Sequence, residues 1–128
     1  MATVLLLEPD KSLAQSYKGA LQRAGHTVHW QNDAQVALGV IDEQTPDVIV
    51  LEFHLPNHNG VEFLYEIRSY PDCDHIPVLL HTMIPVEHPG LGHEFWPQLG
   101  IQEYLYKPQT TLAQLVDRVA KLTTPQLV

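Results

Sequence analysis

DVIVLEFHLPNHNG, residues 47–60, decides the fold. Val48, Ile49, Val50 and Leu51 are β-favouring and apolar on both faces, which is the composition of a central parallel strand with helices packed on either side. Glu52 then falls at the carboxyl end of that strand. In open α/β sheets this is the edge where ligand and reaction sites collect, so Glu52 is the first functional candidate. The alternative reading is a solvated acid at a strand end.

Working outward, Thr3–Leu7 is a short apolar run closed by Glu8-Pro9-Asp10, a buried strand that delivers two acids at its end. Asp10 can cap a helix in which Leu13, Tyr17, Ala20, Leu21 and Ala24 recur at helical spacing and Gly25 is the stop. Thr27–Trp30 reads as a second strand, followed by an Asn32 or Asp33 cap and a helix bearing Val36, Ala37, Val40 and Ile41. Pro46 separates that helix from the central strand. Beyond the Asn57–Gly60 loop, Val61, Phe63, Leu64 and Ile67 mark a third helix ending near Tyr70-Pro71. Ile76–Leu80 is a fourth strand.

Between Thr82 and Gly100 the periodicity fails. Pro85, Pro89 and Pro97, with Gly90 and Gly92, cannot occupy the interior of one long helix, because each proline removes a hydrogen bond and clashes with the preceding turn. One short helix around Leu91–Leu99, holding Phe95 and Trp96, is the most this segment accommodates. A fifth strand, Gln102–Tyr106, ends at Lys107-Pro108. The last helix starts at a Thr110 or Thr111 cap and places Leu112, Leu115, Val116 and Val119 on one face. Strands alternating with helices through short connections give a parallel sheet with right-handed crossovers. Residues 1–122 are expected to form one domain and residues 123–128 a frayed tail.

With 128 residues, 45% hydrophobic and 17% charged, the chain suits a single globular core. The formal net charge of −8, with only seven Lys and Arg, argues against a nucleic-acid surface and for protein partners. One cysteine, Cys73, excludes an internal disulfide. The apolar run near the start is too short for a signal or membrane segment, so a cytoplasmic protein without membrane attachment is expected.

Three strands of this sheet place polar groups at one edge: Glu8, Pro9 and Asp10 after the first, Glu52 after the third, and Lys107 after the fifth. Thr82 follows the fourth. Carboxylates beside a lysine and a hydroxyl suit a phosphate or metal pocket. Eight histidines also invite a metal reading. His54, His58, His81, His88 and His93 match no ligand spacing, however, and are expected to be scattered and solvent-facing. A pH-sensing role for any of them is compatible with their ordinary titration range.

The pieces LLLEPD, DVIVLEFHLPNHNGVEFL, IPVLLHT and EYLYKP, in that order, resemble the receiver domain of two-component response regulators along essentially the whole chain. The resemblance implies a flavodoxin-like, doubly wound five-stranded parallel sheet of order 2-1-3-4-5, here with a shortened or irregular fourth helix. It also implies an aspartyl-phosphate site assisted by a divalent metal, a switch through the Thr82 and Tyr104 positions, and a phosphate-pairing lysine at Lys107. Two departures change that expectation. Glu52 stands where the family has its phosphoacceptor aspartate, and Pro9 stands where the family has the acid that binds the metal directly. Magnesium demands close octahedral oxygen geometry, and the remaining main-chain contact, the carbonyl of His54, cannot hold it alone. Mg²⁺ binding is therefore expected to be lost or weak.

Glu52 is one methylene longer than aspartate, and its carboxylate is expected to reach toward Lys107 and Thr82 and hold the site in one state. The resulting expectation is a non-catalytic, phosphorylation-independent pseudo-receiver that works as a signalling or scaffold module through protein contacts. The alternative is a working phosphorelay receiver that takes a phosphoryl group from a histidine kinase with Asp10 as substitute ligand. A third reading is a small-molecule or metal sensor using the same edge. In the resembling family, the face of the fourth helix, fifth strand and fifth helix mediates output and dimerisation. Phe95, Trp96 and Tyr106 are the aromatic anchors it offers here to a kinase, another signalling protein or a second copy of the chain.

Overall fold

The computed structural model describes residues 1–56 and 58–124. Asn57 of the expected loop and residues 125–128 of the expected tail lie outside them. Among the described residues, five parallel strands form one sheet of order β2-β1-β3-β4-β5: β1 (Thr3–Leu7), β2 (Thr27–Gln31), β3 (Val48–Leu51), β4 (Val78–Thr82) and β5 (Ile101–Tyr106). Between and after them run α1 (Lys11–Arg23), α2 (Ala34–Glu43), α3 (Gly60–Arg68), the one-turn α4 (Trp96–Leu99) and α5 (Leu112–Thr123).

The strands alternate their side chains between two cores, as the pleat requires. Leu5, Leu7, Ile49, Leu51, Val78 and Leu80 pack with Ala37, Ile41, Phe63 and Ile67 from α2 and α3. Val4, Leu6, Val48, Val50 and Leu79 face the other way, against Ala14 and Leu21 of α1 and Leu115 and Val119 of α5. Because both faces are covered, the strands read as continuous apolar runs. Local chemistry fixes the helix starts. Asp10, Asp33 and Asn59 each accept a backbone N–H of the first turn of α1, α2 and α3 respectively. Thr111 and Gln114 form a reciprocal capping box on α5.

Several boundaries differ from the sequence reading. β4 spans Val78–Thr82 and not Ile76–Leu80: Pro77 has no N–H to donate, and ladder pairing continues through His81↔Leu105 and Thr82↔Tyr106. Ile76 is buried all the same, which is why apolarity alone placed it in the strand. Leu13, Val36 and Leu112, assigned to inward helix faces, are 39%, 53% and 40% exposed. Each lies in the first turn of its helix and off its buried face, which in α1 begins at Ala14, in α2 is made by Ala34, Ala37, Leu38 and Ile41, and in α5 by Leu115 and Val119. Thr123 belongs to α5 and not to the tail.

The irregular segment resolves into a turn at Pro89–Leu91, a second at His93–Phe95 and the single turn of α4. Phe95 precedes α4 and is not inside it. Gly92 (φ 62°) and Gly100 (φ 76°) take left-handed conformations that close the first turn and α4, which other residues adopt at a cost.

Candidate functional site

The strand register brings the candidate polar residues to one edge. Leu7 pairs with Leu51 and Leu51 with Leu80, so the residues that follow β1 and β3 emerge beside the end of β4, and Thr82 is level with Tyr106 of β5. Glu8, Glu52, Thr82 and Lys107 converge there. The side chains of Glu8, Glu52 and Lys107 are 2%, 4% and 5% exposed.

Lys107 bridges two carboxylates. Its Nζ lies 2.8 Å from Glu52 Oε1 and also forms an ion pair with Glu8 Oε1. Glu52 accepts from four donors in all: Lys107 Nζ and the Met83 amide (3.0 Å) on Oε1, and the Thr82 hydroxyl and the His54 amide (3.1 Å) on Oε2. Glu8 Oε2 accepts from the Asp10 amide at 3.0 Å, and the Glu8 carbonyl accepts from the Trp30 indole at 2.9 Å. Burial alone would raise the Glu52 carboxyl. The Lys107 and Thr82 hydrogen bonds, the Lys107 charge and the His54 amide outweigh it, so the group is held below the usual carboxylate range and stays ionised at neutral pH.

Pro9 lies between Glu8 and Asp10 and presents a ring with neither carboxylate nor N–H. Asp10 is exposed and spends Oδ1 on the amide of Leu13 (2.9 Å) as the cap of α1. A cavity of about 580 Å³ opens above the cluster. Among the described residues, no group of three or more His, Cys, Asp or Glu side chains is arranged to hold a metal ion.

The hydroxyl of Thr82, besides donating to Glu52, accepts from the Ile84 amide at 3.1 Å, which ties the start of the irregular segment to the cluster. The Tyr104 hydroxyl donates to the Ile84 carbonyl at 2.5 Å, fixing the same residue from β5. Trp96 is half-buried: it stacks on Tyr104 (6.0 Å between ring centres) and on His93 (4.4 Å), and its indole donates to the Leu91 carbonyl at 2.9 Å. Phe95 is exposed, and Tyr106 borders a shallow depression with Tyr104, Pro85 and Val86.

His81 contradicts the expectation of solvent-facing histidines. As a member of β4 it is buried, with its ring edge-on to Tyr17 at 4.7 Å. Burial and the nearby Lys107 charge lower it to about 4 despite the opposing influence of Glu52, so it is neutral at physiological pH. Tyr17 is pushed up to about 12 by burial and by Glu8, Glu52 and Asp10. The helical spacing placed Tyr17 on the apolar face of α1, but the burial of His81 was missed because a polar residue in a strand carries no sign of which face it occupies.

It also missed Arg68. This side chain donates to the carbonyls of Cys73 (2.5 Å), Ile76 (2.6 Å) and Leu99 (3.0 Å from Nε, 2.8 Å from Nη2), and so joins the end of α3 to the entry of β4 and the end of α4. Carbonyl acceptors leave no mark in a sequence.

Comparison with known proteins places this architecture. The family model of the response regulator receiver domain matches residues 4–120. The chain belongs to that family, whose members are signalling domains of two-component systems. It is similar to the chemotaxis response regulator CheY4 of Vibrio cholerae, with 26% identity over 95% of this chain and 98% of that one and a TM-score of 0.83. The Francisella response regulator 1452 receiver domain is also similar, at 26% identity over 96% and 97% of the two chains and a TM-score of 0.81. A third similar structure is the Mn(2+)-bound form of response regulator Rcp1, at 25% identity over 100% and 99% of the two chains and a TM-score of 0.76. Among the described residues, no helix is long and apolar enough to cross a membrane.

Proposed function

We propose that this domain is a pseudo-receiver: it signals through protein contacts without accepting a phosphoryl group. The observation that carries the reading is the saturation of Glu52, whose carboxylate oxygens already receive Lys107, Thr82 and two main-chain amides. An incoming phosphoryl donor must displace those bonds before it can meet an oxygen lone pair, in a pocket where every lost charge-assisted bond is costly. Glu52 thereby occupies the position from which it holds Lys107 and Thr82 together, and Thr82 in turn holds Ile84. The arrangement is that of a domain fixed in one state.

The residues present do not fit a divalent cation. Rcp1 takes Mn(2+) in the structure named above, whereas here Pro9 offers no ligand atom and the Lys107 ammonium is held between the Glu8 and Glu52 carboxylates as their shared counter-ion. Magnesium favours free carboxylate oxygens in octahedral array, and no step of the proposed function passes through it.

Output is assigned to the surface carrying Phe95, Trp96 and Tyr106, toward a kinase, another signalling protein or a second copy of the chain. Phe95 is the exposed anchor, whereas Trp96, stacked and hydrogen-bonded, also covers the sheet where a longer helix is missing. Incubation with a small acyl-phosphate donor and Mg²⁺, followed by intact-mass measurement, tests the reading. The expected mass is unchanged. Stoichiometric addition of phosphate at Glu52 would establish a working receiver instead.

A further inference from the structure

The cavity above the Glu8–Lys107–Glu52 cluster has a volume of about 580 Å³, within the range of roughly 300–1,000 Å³ usual for small-molecule sites. Its walls are mainly apolar, formed by Pro9, Leu13, Met83, Ile84 and Pro85, with His54 and His88 also lining it. Leu13 and Met83 are 39% and 56% exposed, an unusual commitment of large apolar side chains to the rim of a charged cluster. The charge at its base is unbalanced, since three carboxylates, from Glu8, Asp10 and Glu52, line the cavity against the single ammonium of Lys107.

The free acceptor capacity is also located. A carboxylate offers about four lone-pair positions. Glu52 fills them with its four donors, whereas Glu8 receives only Lys107 on one oxygen and the Asp10 amide on the other, and Asp10 uses Oδ1 for the helix cap. Unspent acceptors therefore lie on Glu8 and Asp10, next to Pro9 and Leu13.

We propose that this cavity binds a small organic ammonium compound with an apolar body, the cation toward Glu8 and Asp10 and the body between Leu13, Pro9, Met83 and Pro85. The commitment to a cation rests on charge complementarity, and the commitment to an amphipathic one rests on the walls. Binding would press on Met83 and Ile84, the residues through which Glu52, Thr82 and Tyr104 anchor the irregular segment, so occupancy is coupled to the face assigned to output. The inference stands apart from the phosphorylation reading, because it uses no metal and leaves Glu52 as it is.

The test is a titration of the ¹⁵N-labelled protein at pH 8, above the ordinary histidine range, in the presence of EDTA. Three probes of one shape are compared: 3-phenylpropylamine, 3-phenylpropan-1-ol and 3-phenylpropanoate. The expected result is saturable movement of the Leu13, Met83 and Ile84 amide signals by the amine in the millimolar range or tighter, with the alcohol weaker by about tenfold, the value of one charge-assisted bond. Asp10→Asn keeps a side chain that caps helices well, and it is expected to weaken the amine while leaving the alcohol unchanged. Leu13→Lys, at an exposed helical position, is expected to abolish amine binding. Equal affinity of amine and alcohol, tighter binding of the carboxylate, or no saturable shift would each overturn the proposal. Since EDTA removes any divalent ion, those outcomes are read independently of the acyl-phosphate experiment.

Discussion

Lys107 Nζ lies 2.8 Å from Glu52 Oε1 while also paired with Glu8, so one ammonium from the end of β5 is the shared counter-ion of carboxylates from the ends of β1 and β3. Nothing else among the described residues connects these three strand ends by side-chain charge. Replacing Lys107 by Ala leaves two buried carboxylates without their counter-ion, and breaking a buried pair in this way costs about 3–5 kcal/mol. Urea unfolding of Lys107→Ala at pH 7 should show that loss in the midpoint with little change in slope. An unchanged midpoint would mean that water reaches the pair freely.

Glu52 makes the complementary case. Glu52→Gln keeps the length and an acceptor oxygen but removes the charge, and is expected to cost about 1–3 kcal/mol at pH 7 through the weakened Lys107 and Thr82 bonds. The sign with pH follows from its lowered carboxyl. The folded state holds Glu52 ionised below the pH at which the unfolded chain protonates it, so its contribution is complete above the unfolded value of about 4.3 and fades as pH falls through the folded one. Wild-type and Glu52→Gln stabilities should therefore differ at pH 7 and converge in acid. A gap that stays constant down to the acid transition would contradict the ionised Glu52 described above.

The pattern of what the sequence disclosed follows the kind of force involved. β1 was legible to the residue because an apolar run stops abruptly at Glu8-Pro9; the cap Asp10 was legible, and Asp33 and Thr111 to within one residue (Asn32 or Asp33, Thr110 or Thr111), because short polar side chains bond to amides two or three residues away. The polar strand ends were legible as a group because parallel strands bring their carboxyl ends to one edge of the sheet. β4 was misplaced by two residues, since Ile76 is as apolar as any strand residue and only the missing N–H of Pro77 says that pairing starts later. The burial of His81 and the carbonyl bonds of Arg68 depend on which face or loop arrives opposite, and local composition does not encode that.

His81 gives a prediction of its own. Its value in the folded state is about 4, below the ordinary 6.5, so the unfolded chain takes up a proton first as pH falls. The folded state accordingly loses stability from about pH 6.5 downward, by about 3 kcal/mol once pH 4 is reached, and nothing further changes above pH 7. His81→Leu, apolar and of similar bulk beside Tyr17, should remove this part of the acid sensitivity. The measurement is the difference between pH 7 and pH 5 in urea midpoints for the two proteins, together with the imidazole signals of the wild type. An imidazole titrating near 6.5 would contradict burial against Tyr17.

Arg68 and Gly100 hold the irregular segment against the rest of the sheet, and each depends on the other. The guanidinium reaches the Leu99 carbonyl by passing over Gly100, where a Cβ would collide with it, and Gly100 itself takes φ 76°, a region unfavourable to other residues. Gly100→Ala therefore combines backbone strain with displacement of Arg68, whereas Arg68→Lys retains the charge but cannot serve three carbonyls at once. Arg68→Lys is expected to cost about 2–3 kcal/mol, because buried acceptors on Cys73, Ile76 or Leu99 lose their donor. Gly100→Ala should cost at least as much. The pair should be strongly non-additive in a double-mutant cycle, since both changes break the same contacts. Thermal unfolding of the two single variants and the double variant measures the coupling. Additive losses would show that Gly100 serves the turn alone and that Arg68 finds its carbonyls without it.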